Sequence, residues 1–447
     1  MNYDQFIADK TQIGADHGFD PNFMAYGLFA FQSALTEWAI RKGRAAIFAD
    51  CGLGKTAMQL TWAENVARHT SGRVLILTPL AVAHQHVQEG EKFGVELYHR
   101  RNGIEDGDRI VVTNYERLHH FRPDDFSGVV CDESSILKGF DGATRKAITE
   151  FMRTRPYRLL CTATAAPNDY IELGTSSEAL GEMDRKHMLS RFFTHDGGDT
   201  QSWRLKGHAR SHLFWRWMCS WSRAIRKPSD MGFSDEGFAL PTLNVRQHCV
   251  QAAAPRDGYL FDLPAVGLDE QRSDLRRTIG ERCGMAADLI NSHDRPAVAW
   301  CNLNEESTRL TRLINGAVEV CGADTDEEKE RAFDGFADGS IRVLVTKPSI
   351  AGFGLNWQHC AHQTLFPSHS YEQYYQAVRR CWRFGQRNPV TADIITTDGQ
   401  ENVLRNLQRK SDAADAMFAQ LVAMMGNELK IQKRKTTTKA MEIPTWL

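Results

Sequence analysis

The chain has 447 residues, 54 Lys and Arg against 56 Asp and Glu, a formal net charge of −2, and 42% hydrophobic residues. That length exceeds one ordinary core and suits two or three domains, and the charge balance excludes a uniformly basic nucleic-acid coat. The first eighteen residues, MNYDQFIADKTQIGADHG, are acidic without an apolar centre, and no later run approaches the roughly 20 apolar residues of a membrane span. The expectation is a soluble cytoplasmic protein with no membrane partner.

In chain order, RAAIFAD (44–50), RVLILTPL (73–80), RIVVTNY (109–115), GVVCDE (128–133) and YRLLCTAT (157–164) read as buried strands. Helical spacing fills the gaps, as in TAMQLTWAENVARH and ATRKAITEFMRT. Such alternation makes a parallel sheet with crossover helices, whose ligands bind beyond the carboxyl ends of the strands. A second series starts near residue 296 with PAVAWCN, AVEVCG, IRVLVTK, HQTLFP and VTADIITT. Two α/β units in tandem are expected. Between them, residues 204–227 carry seven Lys or Arg, no Asp or Glu, and Trp215, Trp217 and Trp221. The last stretch, NELKIQKRKTTTKAMEIPTWL, is basic, poor in apolar periodicity, and read as a mobile tail. All ten cysteines stand singly with no C-x-x-C pair, which fits reduced buried thiols rather than zinc or a redox site.

Chemistry concentrates at two places in the first unit. ADCGLGKTAM follows a strand and opens a helix, the frame in which a glycine-rich loop wraps phosphates. Gly52 and Gly54 free the backbone, Lys55 reaches the β and γ phosphates, and Thr56 offers its hydroxyl to Mg²⁺. Ala49 replaces the first glycine of the strict pattern. VVCDESS ends a later strand on Asp132 and Glu133, a carboxylate for Mg²⁺ through water and a neighbour to orient and deprotonate the attacking water.

The ordered set FQ (31–32), GLGKT (52–56), TP (78–79), DESS (132–135), TATAAPND (162–169), TKPSIAGFGLN (346–356) and QAVRRCWRFGQ (376–386) resembles superfamily-two helicases and translocases. The likeness is to the Swi/Snf-type branch and its phage and bacterial helicase-like members, across roughly residues 28–390. It implies two tandem RecA-like domains with ATP between them, and the cytoplasm of a bacterial or phage-infected cell. Carried onto matching positions, it implies that Gln32 reads the adenine edge and that Thr162 and Thr164 couple hydrolysis to movement. Gly354 and Asn356 would line the cleft, and Gln376, Arg380, Arg383, Gly385 and Gln386 would form the last motif. Arg380 and Arg383, three apart on an expected helix, would be arginine fingers, since guanidinium stays charged and offsets the charge of the transferring phosphoryl group. Two departures stand out: Ser135 replaces a familiar histidine, and Arg379 stands where many relatives have Asp.

The expected organisation is an N-terminal extension (1–27), an ATP-binding RecA-like domain (28–175), a helical basic-aromatic insertion (176–240), a second RecA-like domain (241–410), and a C-terminal helix with a basic tail (411–447). TPLAVAHQHVQ (78–88) and TNYERL (113–118) match where the family contacts one strand's backbone. The 204–227 stretch reads either as phosphate contacts with a tryptophan stacking surface or as an amphipathic packing helix, with Arg216, Arg223 and Arg226 outside. The function expected is an ATP-dependent DNA helicase or double-stranded DNA translocase using Mg-ATP, with a nuclease, methyltransferase or replication partner. The alternatives are the ATPase motor of a restriction or repair complex, and a non-catalytic nucleic-acid-binding accessory protein.

Overall fold

The computed structural model describes residues 16–138, 142–166, 169–195, 203–207, 213–251, 273, 275–352, 354–397 and 400–437. They divide into two compact units, one within 16–78, 85–235 and 414–437, the other within 79–84 and 236–413. Each is built on its own parallel sheet with flanking helices, the tandem α/β architecture expected from the alternating pattern.

The first unit runs α1 (Ala30–Lys42), β1 (Arg44–Ala49), α2 (Lys55–Thr70), β2 (Arg73–Thr78), α3 (Ala83–Phe93), β3 (Tyr98–His99), β4 (Ile110–Asn114), β5 (Phe126–Asp132), α4 (Ala143–Arg153) and β6 (Tyr157–Thr162). It continues through α5 (Leu173–Leu180), α6 (Arg185–Phe192), an antiparallel hairpin of β7 (Phe193–His195) and β8 (Trp203–Leu205), α7 (Phe214–Trp221) and β9 (Ser222–Ile225). The sheet order is β3-β4-β2-β5-β6-β1-β9. Its inner strands are continuous apolar runs, because helices cover both faces of a parallel sheet and leave no solvated side to alternate toward. Ala45 to Ala49 of β1 are all fully buried. Register sets Ile47 beside Cys161, and Cys161 beside Asp132, so the carboxyl ends of β1, β6 and β5 lie level.

The stretch expected as a basic-aromatic insertion also supplies a strand, since β9 pairs parallel with β1 and becomes the seventh strand of the sheet. Its tryptophans settle the choice between stacking surface and packing. Trp215, Trp217 and Trp221 are 2%, 3% and 0% exposed and pack among Phe192, Phe214 and Phe48, so they offer no face to a base. Arg216 is exposed, as expected. Arg223 is not: the helix ends at Trp221, the chain turns into β9, and the helical spacing that would keep Arg223 outside no longer applies. Its guanidinium is buried, donates to the carbonyls of Cys219 and Ser222, and lies 4.4 Å from the Trp38 ring centre. Arg226 is half-buried and spans 2.7 Å to Asp415. Residues 208–212 lie outside the described set.

The second unit runs β10 (Leu243–Val250), α8 (Ile279–Asn291), β11 (Ala297–Trp300), α9 (Asn304–Leu313), β12 (Ala317–Val320), α10 (Asp326–Ala337), β13 (Val343–Thr346), α11 (Pro348–Ala351), β14 (His362–Leu365), α12 (Tyr371–Cys381), β15 (Val390–Thr397) and α13 (Glu401–Thr437). Its sheet order is β10-β15-β14-β11-β13-β12. Strand β10 escaped the sequence reading because it is an edge strand with mostly exposed side chains, and no apolar run marks it. From Ala414 onward α13 belongs to the first unit, where Met417, Phe418, Leu421 and Met425 are core. The stretch read as a tail is helical through Thr437, in keeping with its Glu, Lys, Gln and Arg content. The part from 438 lies outside the described residues, as do residues 1–15.

One partly buried polar chain crosses the second sheet. Asp393, 1% exposed, faces His248 Nε2 and His362 Nε2, each at 2.8 Å, and His293 Nε2 stands 2.8 Å from His362 Nδ1. Burial pushes the Asp393 carboxyl up, but the hydrogen bonds of His362 and His248 outweigh it and hold the group below its ordinary value of 3.8.

A carboxyl lowered by folding stabilises the native state above its unfolded pKa and stops doing so as pH falls through the folded one. Acid titration of thermal stability should therefore show a steeper decline below pH ~4 for the native chain than for Asp393→Asn; parallel curves would remove this role. Trp221→Ala empties a fully buried ring site and should cost about 3–5 kcal/mol in a urea melt, whereas a loss below about 1 kcal/mol would place the ring outside the core.

Candidate active site

The turn from β1 into α2 is set by glycines. Gly52 and Gly54 have φ of 86° and 73°, in the left-handed region that side chains with a Cβ resist. At Gly54 an added Cβ would also lie 2.2 Å from Gln32 Nε2. The closeness is functional packing: Gln32 Nε2 donates to the Leu53 carbonyl at 3.0 Å, and Gln32 Oε1 accepts from the Phe29 N–H at 2.9 Å. Gln32 thus ties the loop to the start of α1, while its amide keeps a second N–H and a second lone pair for another partner. Lys55 Nζ folds back onto the Ala49 carbonyl at 3.0 Å. Position 49 contributes a main-chain oxygen, which explains why alanine serves there. Lys55 and Thr56 are half-buried at the amino end of α2, where N–H groups and the helix dipole favour an anion.

At the end of β5, Asp132 and Glu133 are 5% and 6% exposed. Asp132 Oδ1 accepts from Gln59 Nε2 at 2.6 Å, and the Tyr115 hydroxyl donates to the Asp132 carbonyl. Burial pushes the Tyr115 hydroxyl well above its ordinary range and the Cys131 thiol up to about 12, so both remain neutral beside the carboxylates. Glu133 adopts φ of 50°, uncommon for a residue with a side chain and costly by about 1–2 kcal/mol. In that conformation its Oε2 accepts from Thr162 Oγ1 at 3.3 Å, and Thr162 Oγ1 accepts from the Thr164 N–H at 3.1 Å. Ser135 donates to the Glu133 carbonyl at 3.4 Å and so acts locally. Lys55, Thr56, Asp132 and Glu133 therefore belong to one set of neighbouring strand ends and loops in the first unit.

In the second unit, Arg380 and Arg383 converge on a single acceptor. Both donate through Nη1 to the Leu355 carbonyl, at 3.0 and 3.1 Å, beside Gly354 with its φ of 76°. Arg380 is 2% exposed, and its Nε and Nη2 go to Gln376 O and Oε1. Arg383 is half-buried. The two do not share a helix, because α12 ends at Cys381, Trp382 departs from helical geometry, and Arg383 follows in a turn closed near Gly385. Trp382 packs on the core and donates Nε1–H to the Pro241 carbonyl at 2.7 Å. Arg379, 4% exposed, lies over the Trp382 and Tyr375 rings. At the carboxyl ends of β11, β13 and β14 a pocket of about 400 Å³ is lined by Asn302, Lys347, Ser349, Ser368, His369 and Gln373 among others.

No family model matches the chain, and no curated protein does. Among solved structures it is similar to the Sulfolobus solfataricus SWI2/SNF2 ATPase core in complex with dsDNA, with 15% identity over 91% of this chain and 96% of that one, and a TM-score of 0.41. At that identity and score the likeness adds no weight to the site. What the residues can do rests on the geometry within each unit.

Three residues of the first site were missed in the sequence. Gln59 follows Lys55 by four, a spacing that puts both on one helix face. His86 and Tyr115 fall in the two stretches expected to touch a nucleic-acid backbone; they are 0% and 4% exposed, His86 facing Gln59 and Tyr115 donating to the Asp132 carbonyl.

Gly54→Ala should lower stability by at least about 1 kcal/mol, through the left-handed backbone and the crowded Gln32 amide. A urea midpoint equal to that of the native chain would mean the loop can relax without cost.

Proposed function

We propose that the chain is an ATP hydrolase that couples turnover to movement on DNA, as a helicase or a double-stranded DNA translocase. The observation that carries this reading is the meeting of the glycine loop, Lys55 and Thr56 with Asp132 and Glu133 at level strand ends of one sheet. The loop N–H groups and the amino end of α2 bind the phosphates, and Lys55 exchanges its hold on the Ala49 carbonyl for the β and γ phosphates. The donor set fits a hard divalent cation, since it offers a hydroxyl from Thr56 and a carboxylate from Asp132. Mg²⁺ bound there would offset phosphate charge. Glu133, steered by Thr162, orients the attacking water and accepts its proton as the bond to the terminal phosphorus forms and the bridging P–O bond breaks. Gln32 has the spare donor and acceptor for an adenine edge.

For the second unit we assign Arg383 to the transferring phosphoryl group, because it is the more exposed guanidinium. Arg380, bonded on all three nitrogens within its own unit, holds the Leu355 carbonyl and keeps that turn in place. The polar pocket around Lys347, Asn302 and Ser349 suits a phosphate backbone, a mode of binding that positions without reading sequence.

Steady-state ATP hydrolysis should rise at least about tenfold with one of single-stranded DNA, duplex DNA or RNA, with Glu133→Gln as the blank that binds nucleotide but falls by roughly 10²–10⁴ in rate. Turnover equal in all conditions would favour a partner-activated ATPase; turnover unchanged in Lys55→Ala would end the pocket assignment. Arg383→Ala should keep nucleotide affinity and lose roughly 10³ in rate, and an unchanged rate would remove its role.

A further inference from the structure

Behind Asp132 lies a buried relay that the hydrolytic reading does not use. Gln59, on α2, and His86, on α3, are both 0% exposed. Gln59 Nε2 donates to Asp132 Oδ1 at 2.6 Å, which commits the amide oxygen to the other side as an acceptor. That oxygen faces His86 Nε2 at 3.1 Å. Two acceptors cannot bond, so His86 Nε2 carries a proton and donates it. The same nitrogen stands 3.8 Å from Asp132 Oδ2, beyond hydrogen-bond reach.

We propose that Gln59 and His86 are positioning residues that fix the Asp132 carboxylate for a divalent cation; the proposal rests on the reading of this site as a Mg-nucleotide site. The donors run one way, from His86 to Gln59 to Asp132. Gln59 occupies Oδ1 and so sets the rotation of the carboxylate, and Oδ2 is the oxygen left to face the cation or its water. Tyr115 holds the same residue by its main-chain carbonyl, so backbone and side chain are fixed separately. Because Gln59 lies one turn beyond Lys55 and Thr56, a single helix binds phosphate at its end and orients the metal carboxylate from its side. A carboxylate with one oxygen held by a buried amide loses less freedom on binding a cation than one that rotates, and outer partners of this kind change metal affinity by about 10–100-fold.

The test uses the full chain and a fluorescent ADP analogue, titrated first in EDTA and then with rising Mg²⁺, beside melting temperatures. Gln59→Met keeps the length of the side chain and removes the donor, His86→Leu removes the head of the relay, and His86→Gln restores an N–H. Affinity in EDTA should stay within about twofold of native for all three, while Gln59→Met and His86→Leu need about tenfold more Mg²⁺ and His86→Gln returns to within about threefold. Should His86→Leu fail to fold, Gln59→Met against His86→Gln still decides. Folded variants that follow the native Mg²⁺ curve would overturn the proposal. A native chain that binds the analogue with neither EDTA nor Mg²⁺ would instead overturn the nucleotide-site reading beneath it.

Discussion

The register of three parallel strands is the constraint on which the first site depends. Ile47 beside Cys161, and Cys161 beside Asp132, fixes how far each strand runs before its chain turns into a loop. A slip of one residue would invert every side chain on the strand and carry Asp132 to the opposite face. Such a slip would bury the carboxylate among apolar neighbours, so the core itself enforces the level at which the loop glycines, Lys55 and the two acids meet.

Once strands end at that level, the polar groups gathered there are largely withdrawn from water and find partners in the protein. Lys55 uses main-chain carbonyls, Gln32 bridges Phe29 and Leu53, and Asp132 takes an amide from Gln59 and a hydroxyl at its carbonyl. The buried ones among them, Gln32 and Asp132, would each cost about 1–3 kcal/mol if left unmatched. Glu133 carries a different cost, a left-handed backbone angle, and the return is a carboxylate turned to Thr162 rather than along the strand. Strain at such a position is the expected companion of a site whose geometry is set before ligand arrives.

The second unit treats its arginines by the same rule. Three guanidiniums crowd residues 379–383, and their environments separate them. Arg379 is sandwiched on aromatic rings, Arg380 is buried on carbonyl and amide oxygens, and Arg383 keeps partial exposure while sharing the Leu355 carbonyl. Carbonyl acceptors keep a buried guanidinium tolerable by replacing the water it loses. The least buried member is then the one left able to change partners.

Sequence alone determined the two α/β units with their parallel character, and the placing of a glycine loop and an acid pair at strand ends of the first. Those features are written locally, as apolar runs of strand length, glycines at a strand-to-helix turn, and carboxylates at a strand end. It did not determine β9 or β10, since an edge strand needs no continuous apolar run. Nor did it determine that Trp215, Trp217 and Trp221 are core, that Arg223 turns inward, or that His86 and Tyr115 stand behind Asp132. Those outcomes were decided by tertiary structure, because the partners lie far apart in the chain. Asp132 meets Gln59 across 73 positions, and only the closed packing of α2 and α3 on the sheet brings their hydrogen bonds within reach.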